Sequence, residues 1–208
     1  MGIAMQKIDY KKELKYLYSA STKKVAIVEV PAMNFLMIDG KGDPNISPAF
    51  HEAIAALFGV SYTLKFLIKK STEGIDYGVL PLEGLWWTED MSRFSIDAKD
   101  DWQWTIMIMQ PELITKEQVG EAVEQVRKKK NTAALANLRF TNFAEGKAAQ
   151  IMHVGPFSEE GPTIQKVHDH IKAVGGKLSG KHHEIYLSDT RKAAPEKWKT
   201  IIRQPMAG

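Results

Sequence analysis

Glu83 and Glu184 are the residues of this chain whose type and setting best suit them to do chemistry. Glu83 lies in Val79-Leu80-Pro81-Leu82-Glu83-Gly84-Leu85-Trp86-Trp87, and Glu184 in His182-His183-Glu184-Ile185-Tyr186-Leu187-Ser188. An ionised carboxylate cannot be buried among apolar residues without compensation. Each must therefore protonate, pair with a cation or accept several hydrogen bonds. Trp and Tyr faces stack on conjugated rings and stabilise cations. A glutamate beside them supplies charge or, with its pKa raised toward neutrality, a base that activates water. Strand alternation sets Glu83, Leu85 and Trp87 on one face and Leu82, Gly84 and Trp86 on the other, while Glu184, Tyr186 and Ser188 share a face. Structural roles stand beside this reading. Glu83 can pair with a surface lysine, Glu184 can bond to His182 or His183, and Trp86 and Trp87 can fill the core.

The elements around these residues occur twice. Met37-Ile38-Asp39-Gly40 closes an extended run. Ser47 and Pro48 then open a helix with Phe50, Ile54, Leu57 and Phe58 on one face, extending over 48–58 and on toward Lys70. In the second half Met152-His153-Val154-Gly155 precedes a helix opened by Pro162, with Ile164, Val167, Ile171 and Val174 on one face and Gly175-Gly176 as its stop. The spacing predicts a first helix over 9–19 capped by Asp9, an extended run over 25–39 broken near Pro31, and strands over 79–87, 93–98 and 102–110. Asp100-Asp101 reads as a turn. Thr115-Lys116-Glu117-Gln118 forms a capping box for a connecting helix, and further strands are expected over 148–154, 182–188 and 197–203.

These elements predict an α+β fold of two pseudo-two-fold strand-helix-strand-strand units, with an antiparallel sheet and a central ligand cleft. An N-terminal extension covers 1–20 and one domain covers 21–208, its repeats at about 21–112 and 138–208 joined by a helical connector. The two glutamates are expected to meet in that shared cleft.

Composition narrows the function. The 208 residues are 44% hydrophobic, enough for a substantial core. Zero cysteines exclude disulfides and thiolate chemistry. The start of the chain lacks a signal-peptide core, and no apolar run approaches a membrane span, so a cytoplasmic protein without a membrane partner is expected. A net charge of +3 is too balanced for nucleic acid as the main partner. The histidines of His168-Asp169-His170 and His182-His183 lack zinc-protease spacing, so no metal is expected, nor any other cofactor.

The Glu184-Ile185-Tyr186-Leu187-Ser188-Asp189 strand, the Leu82-Glu83-Gly84-Leu85-Trp86-Trp87 segment and the duplicated layout together resemble the GyrI-like small-molecule-binding family over about residues 20–207. The resemblance implies a cleft for hydrophobic, aromatic or cationic compounds, with Glu184 at its floor, Tyr186 beside it, and Glu83, Trp86 and Trp87 carried over as cleft residues. Stand-alone relatives with the double tryptophan resemble enzymes that hydrolyse the strained cyclopropane of DNA-alkylating natural products. On that pattern Glu184, Tyr186 and Glu83 would be catalytic. The first twenty residues are too few for a helix-turn-helix domain, so direct transcriptional control is not expected. A non-catalytic, drug-sequestering role is the alternative.

Overall fold

The computed structural model of the chain describes residues 5–72, 74–89, 99 and 101–208. In chain order its elements are β1 (Gln6–Ile8), α1 (Tyr10–Glu13), α2 (Lys15–Tyr18), β2 (Ala26–Lys41), α3 (Pro48–Lys70), β3 (Ile75–Tyr77), β4 (Leu82–Trp87) and β5 (Gln103–Gln110). They continue with α4 (Lys116–Lys129), α5 (Ala133–Ala136), β6 (Arg139–Val154), α6 (Gly161–Ala173), β7 (Lys177–Leu178), β8 (His182–Tyr186) and β9 (Lys199–Ala207).

The spine is the long antiparallel pair β2–β6, in register from Ala26–Gln150 to Met37–Arg139. Each spine strand is followed by the same set of elements. β2 leads through α3 to β4 and then β5, and β5 returns beside β2. β6 leads through α6 to β8 and then β9, and β9 returns beside β6. β4 and β8 pair with each other, so the order β6-β2-β5-β4-β8-β9 closes on itself as a six-stranded, barrel-like ring. The duplicated α+β layout is therefore present, with α4 and α5 connecting the two units.

The long helices cover the outside of the ring. Ser47 Oγ accepts from Phe50 N at 3.3 Å to start α3, and Pro48 occupies the first turn. Phe50, Ala53, Leu57, Val60, Leu64 and Ile68 recur at helical spacing and are buried. Phe50 meets Trp104 of β5 edge-on at 5.1 Å, and Gln110 donates to Ser61 at 3.1 Å. This packing carries α3 through its β-branched and aromatic second half as far as Lys70. By length and composition α3 could cross a membrane, yet its apolar stripe is occupied by the sheet. On the other unit, Val167 and Ile171 of α6 pack on Ala149, Ile151 and Ile202. At α4 the capping box is formed: Gln118 N donates to Thr115 Oγ1 at 3.3 Å, and Thr115 N to Gln118 Oε1 at 2.9 Å.

Two expectations change. The helix over 9–19 is two single turns, because Leu14 leaves helical geometry at φ −98°, ψ 33°. Its C-terminal turn is no appendage: Leu17 and Tyr18 are buried, and the carbonyls of Tyr16 and Leu17 accept from Gln150 and Arg203, each at 2.8 Å. Strand β2 runs through Pro31, which is tolerated because β5 reaches only to Asn34 and leaves that side of β2 unpaired. The strand expected over 93–98, and Asp100 of the expected turn, lie outside the described residues.

Candidate functional site

Register decides which side chains meet. On β4 and β8, Glu83 lies opposite Ile185, Gly84 opposite Glu184, and Leu82 opposite Tyr186. Residues opposite one another on paired strands share a face. Glu83 therefore shares a face with Ile185 and His183, whereas Glu184 shares one with Gly84, Tyr186, His182 and Trp86. The expected convergence of the two glutamates in one cleft is corrected by this register. A pseudo-two-fold axis through the sheet exchanges residues of the same face, so the two are not equivalents. An alignment of the repeats that is off by one residue turns every side chain over.

Glu83 faces the inside of the ring and belongs to a buried ionic chain. Tyr18 donates to Glu83 Oε1 at 2.7 Å, and His183 Nε2 lies 3.0 Å from Oε2. The other ring nitrogen, Nδ1, sits 2.9 Å from Glu145 Oε1. Arg203 Nη1 lies 3.3 Å from Glu145 Oε2, and its Nε donates to Gln150 at 2.9 Å. With a carboxylate on each nitrogen, the His183 ring is doubly protonated. Burial on its own would lower its pKa, but Glu145 and Glu83 outweigh burial and push it up to about 9. Glu145 is likewise buried, yet His183 and Arg203 hold its pKa below the ordinary value. Two carboxylates face two cations, which is what makes the burial tolerable. Trp87 is on this same inner face, with Lys181 Nζ 3.2 Å from its ring centroid. Glu83 and Trp87 thus leave the candidate site, and the partner of Glu83 is His183 rather than a surface lysine.

The outer face carries the candidate site. Glu184 is 8% exposed. Its Oε1 lies 3.0 Å from His182 Nε2, its Oε2 accepts from Tyr186 at 2.7 Å, and Trp86 Nε1 donates to the Tyr186 hydroxyl at 3.0 Å. Glycine is required across the strand. A Cβ on Gly84 would lie 2.7 Å from Trp86 Nε1 and 3.1 Å from the Tyr186 hydroxyl. Aromatic rings wall both sides: Trp86 packs at 5.7 Å on Phe50 of α3 and at 5.4 Å on Trp102. Tyr186 meets Phe157 edge-on at 5.6 Å, and Phe157 meets Trp198 at 4.9 Å. The Gly84→Ala variant is expected to break the Trp86–Tyr186 pair at a cost of about 1–3 kcal/mol. Melting temperature and indole fluorescence check this, and unchanged values would mean that the floor can yield.

Sequence reasoning missed Glu160, the residue at the N-terminus of α6. It is 3% exposed, and among the described residues its Oε1 meets no hydrogen-bond partner. Burial, reinforced by the neighbouring Glu184 charge, pushes its pKa up to about 9. Burial also acts to raise the pKa of Glu184, but His182, Tyr186 and the Glu160 carboxyl outweigh it and hold Glu184 below the ordinary value. These shifts favour the proton on Glu160 and the negative charge on Glu184. An acid and a base thus stand side by side under aromatic walls, a setting for a cationic or conjugated ligand.

Both raised groups act on stability in one direction. His183 binds a proton up to about pH 9 in the fold but only to about 6.5 when unfolded, so its contribution is complete below about 6.5 and is lost as pH rises through 9. Glu160 keeps a proton that the unfolded chain releases near 4.5, which also lowers stability as pH rises toward 9. Melting temperature should therefore fall steadily between about pH 6.5 and 9, and less steeply in Glu160→Gln. A flat profile would contradict both assignments.

The sequence profile of the GyrI-like small molecule binding domain matches residues 23–206. The crystal structure of an uncharacterized conserved protein from Listeria innocua is similar, with a TM-score of 0.88 and 42% identity, covering 96% of this chain and 100% of that one. That of a hydrolase from Listeria innocua is 40% identical, with a TM-score of 0.83 and coverage of 96% and 100%. The EcmrR C-terminal domain shares the fold at 13% identity and a TM-score of 0.55, covering 88% of this chain and 97% of its own. Among curated proteins, none matches.

Proposed function

Because the chain belongs to the GyrI-like small-molecule-binding family, we propose that its ligand enters the outer aromatic cleft and is hydrolysed there by the Glu160–Glu184 pair. The substrate class is a flat, hydrophobic compound whose strained cyclopropane is conjugated to a carbonyl, the group that makes such compounds alkylate DNA. The observation that carries this reading is the burial of two neighbouring carboxyls, Glu160 and Glu184, beside the Tyr186 and Trp86 rings. Similarity to a Listeria protein described as a hydrolase supports it.

The chemistry balances over the pair. Glu184 takes a proton from water as the water oxygen bonds to the strained ring carbon. The bond from that carbon to the ring carbon attached to the conjugated system breaks, its electron pair moves into the conjugated carbonyl, and Glu160 gives that oxygen its proton. The product is a ring-opened alcohol. The pair again holds one proton, now on Glu184, and transfer to the adjacent Glu160 restores the starting state. Tyr186 and His182 orient Glu184 throughout, while Trp86 and its neighbours hold the flat substrate.

Turnover tests the reading. Protein in substoichiometric amount is incubated with a cyclopropane-bearing alkylator, and ring-opened product is counted by mass spectrometry. Product in excess of protein is expected. One-to-one protection without product would instead support sequestration, the alternative in which the same cleft only binds.

A further inference from the structure

A cavity of about 240 Å³ lies between α6 and the strands β7, β8 and β9, on the same face of the sheet as Glu184. Ile164 and Leu178 give it apolar walls, and His168, Ser179 and Gln204 give it polar ones. The polar wall is fixed, since Gln204 Nε2 donates to Ser179 O at 2.7 Å. His168 Nε2 is buried, and among the described residues it meets no hydrogen-bond partner. A buried ring nitrogen in that state is a group that an occupant would satisfy. An apolar cavity of roughly 150 Å³ already accepts a benzene ring, so this one has room for a substituted ring.

The chemistry of His168 selects the substituent. Burial and the nearby His182 hold its pKa below the ordinary value, so the ring is neutral and offers one donor and one acceptor nitrogen. A hydroxyl both gives and takes a hydrogen bond, and therefore matches Nε2 in either tautomer. We propose that this cavity is a second small-molecule site, taking a single-ring phenol whose hydroxyl bonds to His168 Nε2. The proposal stands apart from the hydrolytic reading. Its one link to the cleft is His182, which lines the cavity and lies 3.0 Å from Glu184.

The test is a titration of histidine-labelled protein with phenol, followed through the imidazole resonances. Saturating shifts at His168 and His182 are expected, and they should vanish in Leu178→Trp, whose indole fills the cavity. Leu178 is 50% exposed on a short edge strand, so this change should leave the fold intact. Ile164→Trp, which blocks the cavity from the α6 side, should give the same loss. Shifts that stay linear in phenol, that bypass His168, or that persist in both filled variants overturn the second site. None of these outcomes depends on turnover in the cleft.

Discussion

Turnover of a cyclopropane-bearing substrate is expected to fall by about 10²–10⁴-fold in Glu184→Gln, the usual contribution of a positioned general base. Glutamine keeps the shape of the side chain and can still accept from Tyr186, but it cannot take a proton from water. It also removes the carboxylate charge that faces the ligand, so affinity for aromatic cations should fall with the rate. Glu83→Gln is the informative control. Glu83 faces Tyr18 and His183 inside the ring, so its loss should lower stability while leaving the Glu160–Glu184 pair intact. Rate constants and melting temperatures for both variants decide the matter. Equal loss of rate in the two would return Glu83 to the site and contradict the register argument.

The largest effect on stability should come from Arg203→Met. Arg203 is 1% exposed and is the cation at the end of the buried chain that includes Glu145 and His183. Removing it leaves Glu145 short of a partner and strips donors from Gln150 and the Leu17 carbonyl. Breaking a buried pair from one side costs about 3–5 kcal/mol. For a chain of this length that lowers the melting temperature by roughly 6–20 °C. Adding Glu145→Gln to the same variant should recover part of the loss, because it takes away the uncompensated charge. Urea denaturation of the single and double variants measures the coupling. Additive losses would show that Arg203 acts through packing alone.

Much of the frame was legible in the sequence because local signals set it. Ser47-Pro48, the Thr115-to-Gln118 box and Gly175-Gly176 mark helix ends by chemistry that acts within a few residues, and the apolar stripes of α3 and α6 follow the helical period. The Glu184–Tyr186 pair was legible too, since residues two apart in a strand share a face. What local signals cannot carry is register between strands. Glu83 and Glu184 sit in similar contexts, yet the β4–β8 pairing sets them one residue out of step and on opposite sides of the sheet.

Glu160 was invisible for a related reason. Just before Gly161-Pro162 it reads as an acidic residue favoured at a helix start. Only the fold brings β8 beside it, where burial and the Glu184 charge raise its pKa. Glu145 and Arg203 have no pattern in the sequence that joins them. Their contact comes from the closure of β6 on β9.

The ionisation of Glu160 is the measurement that bears most directly on the site. With glutamate labelled at the carboxyl carbon, a pH titration followed by NMR should show one resonance that remains in its protonated position through neutrality and moves near pH 9. It should be absent from Glu160→Gln. If every glutamate carboxyl is instead ionised by about pH 6, no acid stands beside Glu184 and the proposed chemistry has no proton donor.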